Sequence, residues 1–197
     1  MKLIQKLLII GLLSTSVLLY GQKTPKIHEV GLGISSNLNF AMTYKTGAPD
    51  KLFRLTTLYL NGVVQQQADK LSHNHGGGIK LGAEFRKPIV NNLWFTYGFD
   101  VGFRYQNSTS TDSGPGQLFQ NAHQLSPSVN ALLGVTYVLK ERWLFSLELC
   151  PYFSYTHTFQ ENSVGAHLHS SATRNRFAYG MDLGSVQFLV SYRFSKA

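Results

Sequence analysis

From Leu93 to Tyr105 the chain alternates without a break. Leu93, Phe95, Tyr97, Phe99, Val101, Phe103 and Tyr105 take one parity; Trp94, Thr96, Gly98, Asp100, Gly102 and Arg104 take the other. A period of two is the signature of a β-strand, because successive side chains point to opposite faces. The segment is therefore a strand with one bulky, aromatic face and one face of small residues and charges of both signs. The same contrast recurs along the chain. Ile79, Leu81, Ala83 and Phe85 oppose Lys80, Gly82, Glu84 and Arg86; Val129 to Leu139 oppose Asn130, Gly134 and Thr136. Residues 143–155, 176–183, 186–194 and 30–44 repeat it, while 52–62 is equivocal because Leu58 and Leu60 share the parity of Arg54.

Alternation alone also suits a soluble, lipocalin-like barrel or a sandwich, in which the apolar face is the core. Composition separates these cases. Charged residues make up 14% of the chain, against about 25% in soluble domains, yet mean hydropathy is only −0.09. The polar faces lack the Lys/Glu coat of water-facing strands and carry Lys80, Glu84, Arg86, Asp100, Arg104, Glu148, Arg176, Asp182 and Arg193 among glycines. Paired charges beside small residues suit a crowded interior, where a lone charge is costly. Large aromatic faces on every strand suit lipid. A closed barrel satisfies every backbone group within the bilayer. The sequence thus predicts an all-β, transmembrane, antiparallel meander barrel, closed, with a polar plugged interior.

The N-terminus fits export. "MKLIQKLLIIGLLSTSVLLYG" places Lys2 and Lys6 before an apolar run from Leu7 to Leu19, the order of a signal peptide. That assigns 1–21 to the leader and 22–197 to one barrel domain. The run falls short of the roughly 20 residues that a spanning helix needs. Removing Lys2 and Lys6 from the 18 basic residues leaves 16 against 10 acidic ones, a charge of +6. No Lys/Arg run or RNA-type aromatic motif accompanies it, which argues against nucleic acid as a partner. The single cysteine, Cys150, permits no internal disulfide.

The chain closes on "SVQFLVSYRF", alternating apolar residues that end in Tyr192-x-Phe194, with "SKA" beyond. Together with the pattern over 28–194, this resembles the small outer-membrane β-barrel proteins of Gram-negative bacteria, of the OmpA-transmembrane and OmpX type. The resemblance implies outer-membrane location, a porin-like fold, a monomer in contact with outer-membrane lipid, and Tyr192 and Phe194 as the signal read by the barrel-assembly machinery.

Two eight-stranded readings fit. In one, 28–46 is a single strand and 174–194 a hairpin through Gly184-Ser185, which puts the long connections in the periplasm. In the other, 28–46 turns near Ser35–Asn37 and 174–194 is one bulged strand, which puts "GVVQQQADKLSHNHGG", 107–124 and "QENSVGAHLHSSAT" outside as loops. The second matches the usual arrangement of such barrels. The short connections carry Lys45, Lys51, Lys87, Lys140 and Arg142, which weighs the other way.

Three chemistries have candidate residues. His73 and His75 in one long connection, with His167 and His169 in another, are two H-x-H pairs able to complete a metal site if they meet. His157 with Ser154, or His169 with Ser170, has the residue types of a lipid acyl hydrolase or transferase, without any supporting motif. The inward charges are an ion path or, in a barrel about as wide as its own side chains, a salt-bridge plug. The plug, with Cys150 as filler, is the simpler expectation. It gives a non-enzymatic barrel with no cofactor, acting structurally or through an extracellular ligand of its loops.

Overall fold

The computed structural model describes residues 26–35, 40–67, 70–112, 118–164, 168–181 and 186–195. The leader 1–21, His167, Asp182 and Gly184-Ser185 lie outside them. All the regular structure described is strand: β1 (Ile27–Ser35), β2 (Phe40–Ala48), β3 (Lys51–Gln67), β4 (Lys70–Val90), β5 (Leu93–Asp112), β6 (Leu118–Leu139), β7 (Trp143–Leu149), β8 (Tyr152–Val164), β9 (Leu168–Gly180) and β10 (Val186–Ser195).

These ten segments make a ring of eight. β7 and β8 both pair with β6, in one continuous register from Leu139↔Trp143 to Leu118↔Val164. They form one strand, interrupted at Cys150-Pro151, where proline offers no N–H. The Pro151 carbonyl still accepts a bond from Ala131 N at 2.9 Å. β9 pairs with β8 and β10 with β7, so they too are one strand. From Gly180 to Val186 this strand advances six positions while its partner advances three, from Tyr152 to Leu149. The odd number of extra residues swaps the faces. Phe177 and Tyr179 are exposed before the change of parity, and Phe188 and Phe194 after it. β1 pairs with β10 and β5 with β6, which closes the ring. The outcome is the reading in which 28–46 is a hairpin and 174–194 a bulged strand.

Short turns and both described chain ends gather at one rim. Gly47, at φ 149, precedes the Pro49-Asp50 turn, and a Cβ there would run into the Lys51 carbonyl. Asn92, at φ 67, closes a two-residue turn between paired Val90 and Leu93, a position that asparagine tolerates.

At the other rim the predicted long loops are a correction. They are mostly strand: β3 continues to Gln67 and β4 resumes at Lys70, β5 ends at Asp112 and β6 begins at Leu118, and β8 and β9 leave only 165–167 between them. Polar residues occupy both parities there, so no apolar alternation marks these stretches, yet the backbone ladder continues. β1 and β2 have 9 residues each, enough for a tilted strand to cross a bilayer. β5 has 20 and β6 has 22, so a wall rises about 40 Å along the strands beyond the short hairpin. The wall is open. Among the described residues the upper part of β3, from Asn61 to Gln67, pairs only with β4, and β9 pairs only with β8, leaving a gap above β1 and β2.

The face assignment follows the inside-out pattern. Leu32, Met42, Phe53, Ile79, Phe99, Val101, Val129, Leu147, Phe153 and Phe188 are all exposed, Phe99 by 52%. Buried positions include Glu29, Lys45, Arg54, Glu84, Arg86, Asp100 and Glu148, with Leu52, Leu132, Leu144 and Leu189 packed among them.

Candidate functional site

Alternation turns one side chain in two toward the lumen, and seven strands bring charges together there. Arg54, 2% exposed, is central. Its Nη1 donates to Glu84 Oε2 at 3.3 Å and its Nη2 to Glu148 Oε2 at 3.0 Å. Its Nε lies 3.4 Å from Asp100 Oδ1. That last contact is ionic only, since neither atom makes a hydrogen bond. Lys45 Nζ reaches Glu84 Oε2 at 2.6 Å and Glu148 Oε1 at 3.4 Å. Arg86 holds Glu29 through two parallel bonds of 2.9 and 2.7 Å and also donates from Nε to Glu84 Oε1 at 2.7 Å. Arg193 Nε closes the cluster on Glu29 at 3.0 Å.

The cluster is four carboxylates against four cations, so it is neutral with every group ionised. Hydroxyls pack beside it, Thr43 on Thr56 at 3.1 Å, Thr96 on Thr136 at 3.0 Å and Thr136 on Ser146 at 2.8 Å. Glycine makes room for it. A Cβ on Gly82 would strike Asp100 Oδ1 and the Phe99 carbonyl, and one on Gly98 would strike the Ala83 carbonyl. A charge set this tightly cross-linked fills the lumen and fixes the relative positions of β1, β2, β3, β4, β5, β7 and β10. Breaking any pair strands a buried charge.

Of the charges named from sequence, Glu84, Arg86, Asp100, Glu148 and Arg193 meet in this cluster. Lys80 faces the lumen above it, where Gly102 leaves space for its Cγ. Arg104 and Arg176 are exposed on the inner face of the wall, and Asp182 lies outside the described residues. Cys150 is buried at the β7–β8 break. Sequence reasoning did not assign Glu29, Lys45 or Arg54 to the lumen. Lys45 is a correction, for it is not in a turn: β2 runs on to Ala48 and buries it.

The histidine candidates separate. His73 and His75 are exposed on the outer face of β4, and β5, β6 and β8 stand between β4 and the strand of His169. His167 lies outside the described residues. Among the described residues no group of three or more His, Cys, Asp or Glu is placed to hold a metal. His157 Nδ1 pairs with Asn175 Oδ1 at 2.8 Å on the outer face of β8, whereas Ser154 donates to the Ala178 carbonyl at 3.5 Å from the inner face. Ser170 is exposed on β9, and the side chain of His169 lies outside the described ones.

On the outer face at the short-turn rim, Tyr192 stacks edge-on against Phe194 at 4.9 Å and Trp143 at 5.1 Å, and its hydroxyl accepts from Arg142 Nη1 at 3.1 Å. Lys51 and Lys87 each lie 5.8 Å from the ring centres of Phe85 and Tyr97. Toward the wall, Tyr105 bonds His123 Nδ1 at 2.9 Å and Tyr155 bonds Asn175 at 3.0 Å. Two amphipathic aromatic rims thus flank the apolar belt, as membrane–water interfaces favour.

No family model matches the chain, and no curated protein matches it. Among solved structures, a major outer membrane protein from Thermus thermophilus superposes with a TM-score of 0.57 at 9% identity, covering 88% of this chain and 100% of that one. Ail, the attachment invasion locus protein of Yersinia pestis, gives 0.44 at 9% identity, covering 87% and 99%. Acinetobacter baumannii CarO gives 0.33 at 9% identity, covering 90% and 100%. With its closed ring and its inside-out faces, the chain has the fold of a small outer-membrane β-barrel protein.

Proposed function

We propose that the protein is an integral outer-membrane barrel, non-enzymatic, whose lumen is plugged and whose wall stands outside the cell as a surface for interaction. The observation that carries this reading is the neutral, buried cluster centred on Arg54, wrapped by a belt of exposed apolar residues. The cluster suits a rigid support rather than a conduit. His157 and Ser154 stand on opposite faces of β8. Residues 1–21 serve export, and Tyr192 and Phe194, side by side on the outer face of the last strand, serve insertion by the assembly machinery.

The reading fixes a polarity. Cysteine placed at exposed Ser170, in a Cys150→Ser background, is expected to react in intact cells with a membrane-impermeant maleimide. Cysteine at Asn91, on the short-turn rim, reacts only after the cells are opened. The reverse pattern inverts the barrel, and recovery of the protein from the soluble periplasm rejects it altogether. In planar bilayers the purified protein is expected to give no steady conductance steps. Reproducible single-channel steps from heat-modifiable protein would replace the plug with the narrow-channel alternative.

A further inference from the structure

The lipid-facing belt is not evenly filled. One outward row crosses five strands, with Leu32 opposite Met42, Met42 opposite Thr57, Thr57 opposite Ile79 and Ile79 opposite Phe103. Thr57 is the one small residue in it. One rung higher on β4 comes Gly77, which has no side chain and lies across from the shift of register on β3 between Leu58 and Asn61. The result is a recess of about 680 Å³ on the outer face. Leu32, Phe40 and Met42 bound one side of it, and Ile79, Phe103 and Tyr105 the other. All six are exposed.

The lining decides what the recess can hold. The Thr57 hydroxyl accepts from Met42 N and donates to the Met42 carbonyl, each at 3.2 Å, and the Tyr105 hydroxyl is taken by His123. The other lining side chains are hydrocarbon or the Met42 thioether. Water finds too few partners there to be held. One rung lower, Tyr44, Leu55, Leu81 and Val101 stand opposite one another in an unbroken row of large side chains, which closes the recess below. Its upper end opens beside Tyr105 and His123, on the rim toward the wall. From Val101 to Tyr105 is about 14 Å of strand, or about 10 Å of depth once the strand tilts. That is less than the roughly 15 Å of hydrocarbon in one leaflet. The space suits the part of a chain nearest its headgroup.

We propose that this recess is a binding site for one acyl chain of a membrane lipid in the leaflet on the wall side. It is continuous with the belt that faces lipid, so its occupant comes from the same source. A chain on the even part of the belt meets protein on one side only. In the recess it meets side chains of β1 and β2, side chains of β4 and β5, and the backbone at Gly77 and Gly78. Lipid tails are as apolar as leucine, so this extra dispersion contact, and not exclusion from water, is what holds the chain. The inference rests on the barrel's lying in a membrane; it is independent of the plug and of which way the barrel is inserted.

The test uses the full barrel in nanodiscs of phosphatidylethanolamine and phosphatidylglycerol. The probe is a trace of phosphatidylethanolamine carrying a diazirine near the carboxyl end of one chain, and mass spectrometry after illumination locates the label. Labelling at Met42 and Phe103 is expected to exceed that at Phe153, which is exposed in the belt on the far side of the ring. Gly77→Phe is expected to lower the labelling of Met42 and Phe103 by about tenfold, the scale of some ten lost van der Waals contacts, and to leave Phe153 unchanged. Thr57→Leu fills the same space from β3 and serves as a second variant. Heat-modifiable migration checks that each has folded. Equal labelling at the three positions, or labelling that a folded variant leaves unchanged, would overturn the site. Label at Phe153 alone assigns the recess to another occupant, such as a second copy of the chain, and overturns it too. No label at any of the three rejects the membrane-embedded barrel itself, and the recess with it.

Discussion

Arg54→Met is expected to destabilise the barrel by roughly 3–5 kcal/mol, the range for removing one partner of a buried ion pair. The guanidinium is shared by Glu84, Glu148 and Asp100. Without it Glu84 keeps Lys45 and Arg86, Glu148 keeps only the longer contact to Lys45, and Asp100 loses its only ion pair among the described residues. Methionine fills much of the vacated volume, so the loss reports charge rather than a cavity. Arg54→Lys should fall between the two, because an ammonium is a compact point charge and cannot span three carboxylates as a planar fork does. Folding into lipid vesicles against urea measures both variants. A loss below about 1 kcal/mol, the scale of exposed pairs, would mean that water reaches the cluster and that the plug is loose.

Phe99→Arg tests the opposite face and should cost roughly 2–4 kcal/mol for a different reason, a cation held in hydrocarbon. Phe99 lies between Ala83 and Ala131 on its two neighbouring strands and is half exposed. Phe99→Ala should therefore be mild in the same assay. A soluble barrel with the aromatic face inward gives the reverse order, since truncating a packed phenylalanine there costs more than about 3 kcal/mol. The pair of variants thus reads the orientation of the whole sheet from one position.

How much of this was legible depends on how each residue is marked by its neighbours. Strands such as 93–105 announce themselves, because lipid on one side and a crowded lumen on the other impose opposite demands on alternate residues. Glu84, Asp100 and Glu148 followed from that parity. Glu29 sits beside His28 near the start of the first strand, and Lys45 lies two residues before the turn signal Gly47-Ala48-Pro49, so both looked like the polar edges of elements. Arg54 was hidden by Leu58 and Leu60, on whose parity it falls. The register shifts between Leu58 and Asn61, and such an irregularity breaks the regular alternation from which faces are read. The wall was the largest omission. Where both faces are wet, serine, threonine, glutamine and histidine fall on both parities with only scattered apolar residues such as Leu71 and Phe119, and the sequence of a strand looks like that of a loop. The paired H-x-H motifs illustrate the limit of local spacing. Two histidines two apart do share a face, but which strands stand side by side is a property of the ring, and β4 and β9 are not neighbours.

The parity change between Gly180 and Val186 has a consequence for how the molecule tolerates alteration. β10 closes the ring against β1 and must keep Tyr192 and Phe194 toward lipid, whereas β9 belongs to the wall and, among the described residues, pairs only with β8. Because three positions are taken up between them, the two halves of this strand obey separate frames. A change of length or pattern in the wall is absorbed at that joint rather than transmitted to the closing seam. The barrel thereby acts as a fixed socket, and the wall above it is free to be rewritten.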